Sequence, residues 1–190
     1  MGVIGLGVGT IAAYGRPEDE YTFYEINPLV VQIAREDFRF LQDSRAELSI
    51  ELGDARLTLE RQQPQRFDVL AVDAFSSDSI PVHLITLEAF ELYFRHIKPD
   101  GLLGVHISNQ YLNLEPVVAA AAHRLGKDAV IVSNSDDKAN GVFSATWIIL
   151  GSRDASVGFS EIEKAGRLLA AHNPRNLWTD SHSSLFAVLK

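Results

Sequence analysis

Short apolar runs recur along the chain at Val3–Leu6, Tyr21–Tyr24, Leu48–Leu52, Phe67–Val72, Leu102–Ile107, Ala129–Val132 and Ala145–Leu150. Several are apolar almost without interruption, the pattern of strands buried on both faces of a sheet. The segments between them carry a helical period. Val30, Ile33 and Ala34 fall on one stripe, and Leu87, Phe90, Phe94 and Ile97 on another. Leu114, Val117, Val118, Ala121 and Leu125 form a third, and Ile162, Ala165 and Leu169 a fourth. Asn27 before Pro28 predicts a capped helix start. The KPDG at Lys98–Gly101 predicts a turn that ends one helix and launches the next strand. Strand and helix in alternation predict an α/β fold: a mostly parallel seven-stranded sheet, right-handed crossovers, and helices on both faces.

Length and composition narrow this picture. The 190 residues contain no internal repeat, low-complexity stretch or linker, so a single domain over 1–190 is expected. A chain of this size buries roughly 70% of its unfolded surface and needs no covalent staple. It has no cysteine, which excludes disulfides, zinc-thiolate sites and cysteine nucleophiles and fits a reducing, cytoplasmic setting. The net charge is −8, and the 17 basic residues are scattered. That argues against nucleic acid as a partner, since phosphate binders gather their basic residues into a stripe. It suits a cationic small molecule instead. No apolar run reaches the ~18 residues of a membrane span, so no membrane contact is expected from this chain itself. The stretch MGVIGLGVGT lacks the basic region and cleavage site of a signal peptide. The six histidines show no ligand-like spacing, so no metal is expected.

The candidate chemistry gathers at strand ends. The first strand runs into Gly5-Leu6-Gly7-Val8-Gly9-Thr10. Alternating glycines allow a tight turn and let a ligand press on bare backbone, ahead of a helix whose first N–H groups are free. A dinucleotide fingerprint needs its third glycine at position 10, which is Thr10. Glu25 ends the second strand, where an acid can accept hydrogen bonds from both hydroxyls of an adenosine ribose. Gly53-Asp54-Ala55 closes the third, where a carboxylate can reach an adenine amino group. Asp73 follows Val72 at the end of the fourth, and Asp78 comes five residues later in VDAFSSDSIP. Ligands of parallel sheets bind beyond the carboxyl ends of the strands, so both acids are expected to border the ligand cleft.

These stretches resemble the Rossmann-like class I S-adenosylmethionine-dependent methyltransferase fold. More narrowly, the chain is similar to the spermidine synthase (polyamine aminopropyltransferase) family, especially its bacterial spermidine synthase-like branch. The resemblance is carried by VIGLGVGTIAAYG, YTFYEINP, GDARLTLE, the stretch from Phe67 to Ser108, and WTDSHSSL. It implies that Gly5, Gly7, Gly9, Glu25, Asp54, Ala55 and Asp73 hold S-adenosylmethionine or its decarboxylated form as co-substrate. It implies further that Asp73 takes a proton from the attacking amine or orients it, and that Asp78 binds the far ammonium of a diamine. It allows a homodimer.

Three departures bear on substrate. The family's glycine loop carries an aspartate that contacts the aminopropyl amine, and the matching residue is Val8. The family's N-terminal β-rich segment has no counterpart, so a fragment of a longer protein or a truncated product is expected. The terminal motif Trp178-Thr179-Asp180-Ser181-His182 lacks the second acid that relatives tend to have. Besides Asp78, candidate substrate contacts are His106 and Tyr111, in a polar cluster with Ser108 and Asn109 that alternatively only caps the next helix. Asp180 either faces the site or tethers the C-terminal segment. His83 is expected at the surface or as a cap, Asp136-Asp137-Lys138 as an exposed turn, and Trp147 as core. The leading expectation is transfer of an aminopropyl group to a polyamine or similar amine. The alternatives are a small-molecule methyltransferase, favoured by Val8, and a non-catalytic nucleoside-binding domain.

Overall fold

The computed structural model describes residues 1–75, 80–154, 158–170 and 176–190. Its centre is one sheet of strands β1 Gly2–Ile4, β2 Glu20–Glu25, β3 Glu47–Leu52, β4 Phe67–Val72, β5 Ile97–His106, β6 Asp128–Asn134, β7 Ala145–Gly151 and β8 Arg167–Leu168. The order across the sheet is β3-β2-β1-β4-β5-β7-β6-β8. From β3 to β5 every pairing is parallel, whereas β7 pairs antiparallel with β5 and β6, and β8 antiparallel with β6. The helices are α1 Pro28–Glu36, α2 Phe40–Asp43, α3 Ala55–Arg61, α4 Leu87–His96, α5 Glu115–Arg124 and α6 Phe159–Ala165. No helix among the described residues is long and apolar enough to cross a membrane.

Alternation along the strands divides the core into two layers. Ile4, Tyr24, Leu70, Val72, Leu103 and Val105 pack against α3, α4 and α5 through Leu59, Phe90, Tyr93 and Val117. Val3, Tyr21, Phe23 and Ala71 point to the other face and meet Ala12 and Ala34. The α1 start is as expected: Asn27 accepts a hydrogen bond from the Leu29 N–H at 3.0 Å, and Pro28 takes the first turn.

Four local expectations are corrected. The sheet has an eighth strand. The fourth helical stripe, expected to run on to Leu169, stops at Ala165, and Arg167–Leu168 becomes an edge strand. Gly166 explains the break, because a Cβ there would stand 2.4 Å from the Ile131 carbonyl oxygen, so the backbones touch. The KPDG turn lies inside β5: Phe67 pairs with Ile97 and Val69 with Leu102, which leaves residues 98–101 bulged opposite Asp68. Ile97, assigned above to a helix stripe, therefore opens β5. The helix expected after the glycine loop is a five-residue 3₁₀ helix, Thr10–Tyr14. It leaves left-handed Gly9 and is cut short by extended Gly15, with Pro17 just beyond.

The strand order reverses between β1 and β4. The loops leaving β1, β2, β3 and β4 consequently open onto one crevice at the carboxyl edge of the sheet, where such folds take their ligands.

Candidate active site

That crevice is a cleft of about 390 Å³ whose lining includes Gly5, Gly7, Glu25, Asp54, Asp73 and Phe75. Its volume suits a small organic ligand, for which pockets run from about 300 to 1,000 Å³. The glycine loop forms one wall. Gly5 has φ +97°, and a Cβ on it would lie 2.4 Å from the carbonyl oxygen of Asp73, so the β1 loop lies directly on the β4 end. Gly7 also has positive φ, at +53°, but a Cβ there would meet nothing within 4 Å. Bare backbone thus faces open space.

Glu25 is almost fully buried, at 9% exposure, and spans the gap between two loops. Its Oε2 accepts the Leu6 N–H at 3.1 Å and its Oε1 the Asn27 N–H at 2.8 Å. A carboxylate offers about four lone-pair positions, so two backbone bonds leave acceptor capacity toward the cleft. Behind it, Tyr24 donates its hydroxyl to Gln62 at 2.9 Å. Burial pushes this phenol well above its ordinary range, so Tyr24 stays neutral and is not a proton acceptor here.

Asp54 has a local role that sequence reasoning missed. It caps α3, its Oδ1 accepting from the Leu57 N–H at 2.9 Å, while Oδ2 lies 3.1 Å from Nε2 of His83. His83, in the 3₁₀ turn Val82–Leu84, therefore closes the far side of the cleft. The β3–α3 junction carried the signal for the cap in Gly53-Asp54, but nothing local in the sequence pointed to His83.

Asp73 leaves the end of β4 and is paired. Its Oδ1 lies 2.6 Å from Nδ1 of His106 at the end of β5. The other ring nitrogen, Nε2, lies 2.7 Å from the Ser108 hydroxyl, which accepts the Thr146 N–H at 2.8 Å. The imidazole stacks on Trp147, with ring centroids 4.7 Å apart and planes 6° from parallel, and meets the edge of Phe75 at 4.7 Å. Trp147 is accordingly half-buried against His106 rather than sealed in the core, because β7 is the antiparallel neighbour that sets it opposite His106.

The other candidates distribute as follows. Ala55, the first residue of α3, lines the cleft, and Gly9 turns the chain into the 3₁₀ helix just beyond it. Tyr111 is 62% exposed and does not line the cleft. Asp180 lies beside the site, in a network that ties the C-terminal segment down. Its Oδ1 accepts from Arg56 at 2.7 Å and from the Thr86 hydroxyl at 2.8 Å. Arg56 also donates to the His83 carbonyl at 2.9 Å, which joins this network to the cleft wall. The hydrogen bonds from Arg56 hold the Asp180 carboxyl below its ordinary range. Asp136 and Asp137 form an exposed turn, Asp137 capping the Lys138–Asn140 3₁₀ helix. Asp78 lies outside the described residues.

No protein-family model matches the chain. Polyamine aminopropyltransferase of Vibrio vulnificus is 36% identical over 91 residues, covering 45% of this chain and 30% of that protein. The match therefore spans under a third of the curated relative's length. Among solved structures, a probable spermidine synthase from Corynebacterium glutamicum superposes with a TM-score of 0.65 at 23% identity, over 90% of this chain and 66% of that one. Human methyltransferase-like protein 13, solved in complex with SAH, gives 0.64 at 16% identity, over 86% of this chain and 78% of that one. The fold is thus the Rossmann-like class I methyltransferase fold, and in sequence the chain resembles the spermidine synthase-like, polyamine aminopropyltransferase family.

Proposed function

We propose that this chain carries the catalytic site of a spermidine synthase-like transferase, which moves an aminopropyl group from decarboxylated S-adenosylmethionine to a polyamine or similar amine. The observation that carries the reading is Asp73: a carboxylate at the β4 end, held by His106 and facing the same cleft as Glu25 and the glycine loop. The aminopropyltransferase similarity supports the same reaction.

The residues fit the donor. Glu25 has spare acceptor capacity for ribose hydroxyls, Gly7 offers bare backbone, and Asp54 and His83 flank the place of the adenine. When bound, the donor supplies a methylene carbon activated by the neighbouring sulfonium. Asp73 takes the proton from the substrate ammonium: an N–H bond breaks and an O–H bond forms on its carboxylate. The freed nitrogen lone pair forms the new C–N bond, and the C–S pair returns to sulfur, leaving methylthioadenosine. Positioning of amine and carbon supplies much of the rate, because a loss of charge at sulfur needs no large stabilising group. Asp78 is assigned the distal ammonium of the acceptor, on the family resemblance.

The test is product identity. Purified protein with each donor and a panel of diamines is expected to release methylthioadenosine. Release of S-adenosylhomocysteine would instead support methyl transfer, the second reading, which Val8 favours by removing the acid that the family uses on the aminopropyl amine. Donor binding without either product would leave a nucleoside-binding domain.

A further inference from the structure

We propose that His106 is a positioning residue for Asp73, holding one carboxylate oxygen through its Nδ1–H while Ser108 anchors its other ring nitrogen. The inference rests on the transferase reading for its catalytic consequence, but not for its structural part.

The polarity of the chain of hydrogen bonds follows from its two ends. A carboxylate has no proton to give, so Nδ1 of His106 donates to Asp73, whereas the Ser108 hydroxyl, with two lone pairs, does not by itself decide the tautomer. Thr146 contributes a backbone N–H, which can only donate, so the Ser108 hydroxyl accepts there at 2.8 Å. The hydroxyl proton is then available to Nε2 of His106, 2.7 Å away. A neutral imidazole that accepts at Nε2 carries its proton on Nδ1. That proton points at Oδ1 of Asp73 across 2.6 Å. Every proton in the series thus has an acceptor, and the series ends on the carboxylate. The second oxygen of Asp73, Oδ2, is the one assigned to the substrate amine.

The ring itself is held on both sides. His106 and Trp147 are cross-strand partners in the antiparallel β5–β7 pair, which brings their side chains together on one face of the sheet. Their parallel stack and the Phe75 edge contact restrict rotation of the imidazole. Phe75 also lines the donor cleft, so the ring clamp and the donor wall share a residue. Oδ1 is thereby occupied and the carboxylate plane is fixed, and a base that must meet an amine in one orientation needs both.

Two variants separate hydrogen bonding from packing. His106→Phe keeps an aromatic ring between Phe75 and Trp147 but removes the donor. His106→Asn loses the ring but sets an amide N–H close to where Nδ1 stood. Methylthioadenosine formation and methylthioadenosine binding are measured for each. The Phe variant is expected to lose about 10- to 100-fold in kcat, the scale of a misplaced reacting group, with its nucleoside dissociation constant close to wild type. The Asn variant is expected to recover most of that loss. The reverse order, Phe active and Asn impaired, would overturn the proposal in favour of a packing role. A second readout does not depend on turnover. Long-range nitrogen–proton NMR of the imidazole is expected to give an Nδ1-protonated His106 in the wild type and a changed tautomer balance in Asp73→Asn. An Nε2-protonated ring in the wild type would overturn the proposal. If no donor and amine give product, the transferase reading falls, and the NMR result alone decides whether His106 holds Asp73.

Discussion

The carbonyl oxygen of Asp73 lies where the side chain of residue 5 would begin: a Cβ on Gly5 would stand 2.4 Å from it. Two neighbouring parallel strands thus bring the glycine loop and the candidate base into direct backbone contact, and neither can shift without the other. Gly5→Ala is expected to cost about 1–3 kcal/mol for the left-handed conformation alone, with the clash in addition. Gly7→Ala carries similar backbone strain but no clash, so its loss of stability is expected to be smaller, while its methyl adds bulk to the lining of the cleft. Urea denaturation ranks the two, and an equal loss in both variants would show that the contact with Asp73 is not what demands glycine.

Glu25→Ala removes the acceptor for the Leu6 and Asn27 N–H groups together with the acid proposed to bind ribose. Nucleoside binding is expected to weaken by about 1–3 kcal/mol, the scale of lost hydrogen bonds to a charged group. Calorimetric titration with methylthioadenosine measures it. An unchanged affinity would refute the ribose assignment.

Much of this arrangement was legible in the chain itself. Apolar runs located β1, β2 and β4, the Asn27-Pro28 pair located the start of α1, and the strand-end acids followed once a parallel sheet was inferred. What could not be read was set by pairing between distant segments. Val72 lies opposite Val105 in the parallel β4–β5 register, so His106 arrives beside Asp73. No local pattern encodes that neighbour. Trp147 reaches the same spot only because β7 inserts antiparallel between β5 and β6. An apolar strand residue reads as core until its strand's place in the sheet is known. The Arg56–Asp180 pair joins positions 124 residues apart: GDARLTLE and WTDSHSSL marked its two ends, and a tether was one of two readings of Asp180, but nothing local named the partner. The KPDG motif misled for a different reason: turn chemistry was present, but the sheet absorbed it as a bulge opposite Asp68, with Lys98 paired to that carboxylate at 2.6 Å.

Asp73→Asn is close in shape to the wild-type side chain but cannot take a proton from an ammonium. Turnover is expected to fall by about 100-fold or more, the contribution of a positioned general base. Methylthioadenosine affinity is expected to stay near the wild-type value, since the nucleoside contacts proposed here lie at Glu25, Gly7 and Asp54. Single-turnover assays alongside calorimetry separate the two quantities. Wild-type turnover in this variant would remove Asp73 from the mechanism.

Arg56 is 13% exposed in its side chain and spends its guanidinium on Asp180, Thr86 and the His83 carbonyl. Next to this clamp, the Trp178 carbonyl accepts from the Leu87 N–H at 2.8 Å and the Trp178 ring is buried against the core. Arg56→Ala strands the Asp180 carboxylate and frees the segment. The expected cost is about 1.5–3 kcal/mol, that of a charge-assisted hydrogen bond with its partner left behind. Hydrogen exchange at the Leu87 amide is expected to accelerate more than at amides of β1. Equal acceleration everywhere would mean that the residue supports global stability and not the C-terminal tether.

The pH dependence of stability has an identifiable contributor at His96, which is 3% exposed near the end of α4 and accepts the Gln65 N–H at Nδ1 across 3.3 Å. Burial lowers its tendency to protonate below the ordinary value of 6.5, with the Leu59 backbone opposing the effect and Arg95 adding to it. The unfolded chain therefore takes up a proton at this residue at a higher pH than the folded one does. Between those two values the unfolded state binds more protons, so stability is fully present above about 6.5 and declines as the pH falls below it. His96→Gln keeps an acceptor within reach of the Gln65 N–H but does not titrate. Its urea midpoint is expected to be lower than that of the wild type at pH 7.5, because the fit of the ring is lost, and to fall less steeply between pH 7 and 5. Parallel slopes for the two proteins over that interval would assign the acid sensitivity to other groups.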